Sequence, residues 1–179
     1  MIAYEWYNFY NKSTFIAKVK EIASRLDVPA SWLMIVMEME SGIRAKSKCP
    51  NGYAYGLFQW TKIRLKDLGV TYPELRAMNS IQQLDLAYRT FKPYIRKVNN
   101  LYDMYFVIFF PEGLGKRDNY VLATKGQKGF RGLAYEWNKT IDTKFGNHDG
   151  KLTVADVKAF VNSKIPDGYS PYRDEINED

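Results

Sequence analysis

One carboxylate in the chain is placed where it could do chemistry. Glu40 closes an apolar run, "WLMIVMEM", and the Gly- and aromatic-rich stretch "SGIRAKSKCPNGYAYGLFQW" follows at once. A carboxylate at a helix C-terminus feels the negative end of the macrodipole, and apolar neighbours strip its water. Both effects disfavour the charged form and raise the pKa. A glutamic acid that keeps its proton near neutrality can give it to a leaving oxygen, the step that glycoside cleavage needs. From placement alone a second reading stays open, a solvated glutamate that ends its helix. Glu38 adds nothing to the pair count. At about 100° per residue, two positions apart, it points to nearly the opposite side of the helix.

The inventory excludes much other chemistry. One cysteine (Cys49) and one histidine (His148) allow no intrachain disulfide and make a structural zinc site or a His-bearing triad unexpected. "GLGK" at Gly113–Lys116 lacks the upstream glycine and the following Ser or Thr of a phosphate-binding loop. Hydrolytic chemistry must rest on carboxylates. The formal charge of +6 favours a polyanionic partner, but the 26 Lys and Arg are scattered without a basic run, so nucleic-acid reading is not expected. Aromatic residues make up 16% of the chain, with 14 Tyr and 4 Trp. Such rings fill cores, and they also pack on pyranose faces in sugar clefts.

Two patterns carry a resemblance. "ESG" at Glu40–Gly42 with "GLFQ" at Gly56–Gln59 resembles the first two motifs of the lytic transglycosylase branch of the lysozyme-like superfamily. "LDVPASWLMIVMEMESG", "AYGLFQWT", "LRAMNSIQQLDLAYRTFKPY" and "LYDMYFVIFFPEGLGK" look, in that order, like its phage- and prophage-associated members, over roughly residues 15–161. The resemblance implies a lysozyme-like helical domain, related to soluble lytic transglycosylases and goose-type lysozymes, with a small β-hairpin or loop element lining a cleft. It implies Glu40 as sole acid and base on peptidoglycan glycan strands, oriented by Ser41, with Tyr55, Gly56 and Gln59 lining the sugar cleft. It implies no cofactor for catalysis. The family's third motif, Ala-Tyr-Asn, is absent; "DMYFVIFFP" stands in its place, and Tyr105 is the candidate for the tyrosine that reaches Glu40. A hydrolase outcome would want a second carboxylate to activate water, for which Asp67, Glu74 and Asp85 are candidates. A wall-binding or tail-structural protein that keeps the fold is the reading of another class, and chitin-like polymers are an alternative substrate.

"NHDGKLTVAD" at Asn147–Asp156 resembles the later part of an EF-hand or dockerin-type calcium loop. Asn147, Asp149, Gly150, the Lys151 carbonyl and Asp156 fit loop positions three, five, six, seven and twelve. Phe145 occupies position one, where an oxygen is required, so Asp142 would have to substitute across a bulge at "KFG". The alternative is a metal-free loop docked on the body. His148 is assigned no chemistry.

The class is mainly α. Ser13–Leu26 reads as an amphipathic helix capped by Ser13, and Pro29–Glu40 as a central helix apolar all round, stopped by Gly42. Asn51-Gly52 is a turn signal before a short hairpin or loop. Further helices are expected at Ile81–Lys92, Leu101–Phe110 and Val154–Ser163, with a loop over Glu112–Gly132. The expected organisation is a catalytic domain over 1–137 with an extension over 1–12, an EF-hand-like loop and helix over 138–165, and a polar, frayed tail over 166–179. No secretory signal and no stretch near the roughly 20 residues of a membrane span are recognised. Together these imply a monomer made in a reducing cytoplasm that reaches the wall as a virion component or by holin-type release.

Overall fold

The computed structural model describes residues 1–8, 11–50 and 52–173. It is mainly α, with eight α-helices and two small two-stranded antiparallel sheets among the described residues. Contacts divide the chain into two units, Met1–Asn99 with Pro166–Asp179, and Asn100–Ile165. A boundary at 137 would instead cut one continuous helix, Phe130–Phe145.

In the first unit, α1 (Lys12–Leu26) turns Phe15, Val19, Ile22 and Leu26 inward at helical spacing. Ser13 lies inside the first turn and does not cap it; Asn11 stands at the N-cap in left-handed conformation. Then α2 (Ala30–Ser41) follows, with Pro29 at its N-cap. Its residues Trp32–Met37 are fully buried, so the helix has no polar face and its stability comes from packing. Strands β1 (Ala54–Tyr55) and β2 (Trp60–Thr61) pair as a short hairpin. Of the expected Asn51-Gly52 turn, Asn51 lies outside the described residues, and Gly52 has φ +74°.

Three helices complete this unit. Two are short, α3 (Lys62–Asp67) and α4 (Tyr72–Ala77), and α4 is closed by a capping box of Thr71 and Glu74. The third, α5 (Ser80–Phe91), has a second capping box, Asn79 with Gln82, and packs against α1. Lys18 reaches Asp85 at 2.8 Å across that seam, and Arg25 lies over the Tyr88 ring. The tail is not frayed where it is described. The indole N–H of Trp32 donates to the Ser170 carbonyl, and Arg173 pairs with Asp27. The acidic residues Asp174, Glu175, Glu178 and Asp179 lie outside the described residues.

The second unit begins with α6 (Leu101–Phe109), capped by Asn100. The expected loop over Glu112–Gly132 contains a strand, β3 (Val121–Thr124), which pairs with β4 (Lys151–Thr153). Four residues are too few for alternation to declare a strand; its partner 30 residues later makes it one. The longest element, α7 (Phe130–Phe145), precedes β4, and α8 (Val154–Asn162) closes the unit. Tyr102 on α6 donates to Asn162 at the end of α8.

Each unit holds a tyrosine whose phenol resists ionisation. Burial, then the charge of Glu38, pushes Tyr4 from 10.0 to about 12. A hydrogen bond to Asp142, then burial, pushes Tyr135 to about 12. A folded pKa above the unfolded one means stability that is complete below pH 10 and is lost between 10 and about 12. The melting temperature should therefore fall over that window, and Tyr135→Phe should flatten part of the fall. An unchanged melting temperature from pH 10 to 12 would refute the coupling.

Candidate active site

Glu40 is the penultimate residue of α2 and is half-buried. Upstream of it the helix is sealed in the core; downstream the chain must turn sharply. Gly42 (φ +61°) and Ile43 (φ +56°) are both left-handed, and their amides cap the Glu38 and Met37 carbonyls at 3.0 and 3.2 Å. A β-branched residue there is strained, by about 1–3 kcal/mol.

Ser41 joins the two sequence motifs. Its buried hydroxyl lies 3.0 Å from the Met37 carbonyl and 2.9 Å from that of Leu57, and its one proton serves that pair. The oxygen accepts the Arg44 amide at 3.2 Å. The serine after the acid therefore holds the "GLFQ" segment against the end of α2.

A residue to which the sequence reading gave no role makes the second tie. Gln83 on α5 is fully buried. Its Oε1 accepts the Leu57 amide at 2.9 Å and its Nε2 donates to the Ala45 carbonyl at 2.8 Å. One amide thus satisfies a donor and an acceptor from the two segments that flank the candidate cleft. Gly56 is required here. A Cβ at residue 56 would lie 2.6 Å from Gln83 Oε1, so this glycine, expected to line the cleft, lets the backbone approach a side chain of the fold. A polar residue on the buried face of an otherwise amphipathic α5 was the available signal.

Gln59, in left-handed conformation (φ +46°), donates its Nε2 to the carbonyls of Ser47 and Gly56. Both amide protons are used, leaving Oε1 as the group it can offer a ligand. Tyr55 is buried, with its ring against Tyr72. Tyr105 belongs to the second unit, buried and stacked on Phe109 at 5.2 Å. Glu38 is engaged elsewhere: Tyr7 donates to its Oε1 at 3.2 Å, and its Oε2 is buried without a hydrogen-bond partner.

Of the candidate water-activating carboxylates, Glu74 is spent in its capping box and held below the usual range by the Thr71 hydrogen bonds. Asp85 pairs with Lys18, and Asp67 is exposed.

In the 142–156 segment the side chains serve the loop itself. Asn147 Oδ1 accepts the Asp149 amide and Asp149 Oδ1 that of Lys151. Asp156 Oδ2 closes the cap of α8 with Thr153. Gly146 has room for no side chain, since its Cβ would stand 2.5 Å from Asp156 Oδ1. Asp142 is fully buried at the end of α7. Its Oδ2 accepts from Tyr135 and from the Gly150 amide at 2.7 and 3.0 Å, while Oδ1 has no partner. Phe145, at the first loop position, packs on Phe160. Among the described residues no three His, Cys, Asp or Glu side chains gather to hold a metal ion.

The Gln83 amide generates a stability prediction. Gln83→Leu strands the Leu57 N–H and the Ala45 carbonyl, and should cost about 2–5 kcal/mol in urea unfolding. A loss within experimental error would show that water replaces the amide. Compared with models of known protein families, the chain matches none, and a comparison with curated proteins also returns no match.

Proposed function

We propose that the chain cleaves the β-1,4 bond between N-acetylmuramic acid and N-acetylglucosamine in peptidoglycan as a lytic transglycosylase of lysozyme-like fold. The observation that carries this reading is the tie between the two motifs: Glu40 sits half-buried where α2 stops, and Ser41 and Gln83 fasten the "GLFQ" segment beside that end. A single carboxylate suffices for the reaction. Glu40 protonates the bridging oxygen as the bond to the anomeric carbon breaks, and the acetamide oxygen of the same sugar assists departure. Glu40, now a carboxylate, takes the proton of the C6 hydroxyl as that oxygen attacks the anomeric carbon. The products are a 1,6-anhydro end and a new 4-hydroxyl, with Glu40 protonated again.

The engagements of Glu74 and Asp85 favour this route over hydrolysis, which wants a further carboxylate beside the water. Delivery as a virion component or by holin-type release belongs to the same reading. No described helix is long and apolar enough to cross a membrane.

Digestion of purified peptidoglycan followed by muropeptide mass spectrometry tests it. Anhydro-muropeptides are expected, and Glu40→Gln should lower their release by about 10²–10⁴-fold. Reducing ends alone would assign a lysozyme-type hydrolase. No release by folded protein that still binds the wall would make it a binding or tail-structural protein.

A structural calcium ion in the 142–156 loop is the second part of the proposal. It rests on the buried Asp142 Oδ1, an oxygen that lacks any donor while its neighbour has two. Asp142 would supply one oxygen; Asn147, Asp149, the Lys151 carbonyl and Asp156, whose acidic side chains do not gather around it, would have to close on the ion to supply the rest. The ion would supply structural charge neutralisation and no catalytic step. Millimolar calcium should raise the melting temperature of chelator-treated protein and give heat on calorimetric titration. No heat and no thermal shift would remove the ion.

A further inference from the structure

The outer side of α7 carries more apolar surface than its packing uses. Ala134, Tyr135 and Ile141 are buried, and the helix packs on β3, β4 and α8. Phe130, Leu133 and Trp137, at i, i+3 and i+7, are 65%, 53% and 50% exposed. Eight large hydrophobic side chains are exposed among the described residues, and these three share two turns of one helix, which makes them a stripe and not scatter. From this stripe and the charges around it we infer that α7 is a docking face for an anionic phospholipid bilayer. The inference is independent of the proposed cleavage, because a wall-binding or structural protein would carry such a face equally well.

Position is the first argument. At about 100° per residue, Phe130, Leu133, Trp137, Thr140 and Lys144 fall within an arc of about 80°. No carboxylate lies in that arc. Of the two on the helix, Asp142 is buried and Glu136 stands 3.9 Å from Lys139. The helix is 16 residues long and packed along its other side, so it would lie in a bilayer surface and not cross it.

Charge is the second. Lys125 and Lys128 stand in the turn that leads into α7, and Lys144 continues the stripe beyond Trp137. All three are exposed, and none is in an ion pair among the described residues. Cations thus bracket the apolar stripe at both ends, which complements an anionic surface. Each lysine brought to such a bilayer adds about fivefold to the partition.

The chemistry of the stripe selects lipid among the polyanions. Phe, Leu and Trp side chains enter the boundary between headgroups and acyl chains, while lysines lay their stems along it and keep their ammonium groups among the phosphates. A glycan or a nucleic acid would stack on the two rings. Neither gains such stacking from Leu133, the aliphatic side chain between them in the sequence.

Co-sedimentation of the full chain with phosphatidylcholine vesicles, with and without phosphatidylglycerol, tests the face. At low salt, binding to the phosphatidylglycerol vesicles should exceed binding to the neutral ones by about tenfold or more. Leu133→Ser with Trp137→Ser should lower it by about tenfold or more. Lys125→Gln, Lys128→Gln and Lys144→Gln together should bring it near the neutral-vesicle level. All five side chains are exposed, and the thermal melt of each variant reports the fold. Trp6→Ser removes a comparably exposed indole from the first unit and should leave binding unchanged. No partition, or partition unchanged in folded Leu133→Ser, Trp137→Ser protein, overturns the lipid face. Self-association in light scattering that this double variant abolishes would give the stripe to a second copy and overturn it too, as would preference for duplex DNA over the vesicles at the same salt.

Discussion

One hydroxyl holds the candidate site together. The body of α2 is sealed in the core and its last turn emerges only in part, so the buried polar groups near its C-terminus are met by protein. Ser41 meets that need from within the helix and at the same time reaches across to the Leu57 carbonyl. Helix termination and assembly of the cleft therefore become one event. The core of α2 fixes where the acid stands, and Ser41 fixes what stands beside it. Gln83 repeats the device from the other side, answering the Leu57 amide whose carbonyl Ser41 has taken. Both polar groups of Leu57 are thus satisfied inside the fold.

What could be read from the sequence follows from the strength of local signals. The helices α1, α2, α5, α6 and α8 carry apolar runs or stripes, and their ends fell within a residue or two of expectation. The longest helix, α7, was not legible. Its first turns hold Gly132, buried against the Gln127 carbonyl where a Cβ would stand 1.7 Å away, and its exposed side mixes Leu133 and Trp137 with charges. A glycine demanded by close packing looks like a loop glycine on paper. Strand β3 was missed for the opposite reason: its signal lies in a partner far along the chain.

The site was legible in part. The sixteen-residue interval between the acid and "GLFQ" named the segments that meet, because spacing survives folding. The partners inside the meeting were not legible. Helical spacing sets Gln83 on the buried face of α5 and Gln82, which caps the helix, on the exposed one, but nothing local tells which backbone groups a buried glutamine will meet. The calcium-loop residues show the same limit. Their spacing gave the turn, yet most of their oxygens bind the loop's own amides, and the odd one out is Asp142.

The internal hydrogen bonds also restrict how the candidate cleft could address the proposed sugar. Gln59 was expected to line the sugar cleft. With both of its protons committed to Ser47 and Gly56, it can only accept, so its natural partners are a sugar hydroxyl or the N–H of an acetamide. Gly56, committed to Gln83, contributes shape to the turn. Recognition must then come from groups the fold has not already used. In the "GLFQ" segment that group is the Gln59 oxygen, an acceptor held in place by the two protons of the same amide.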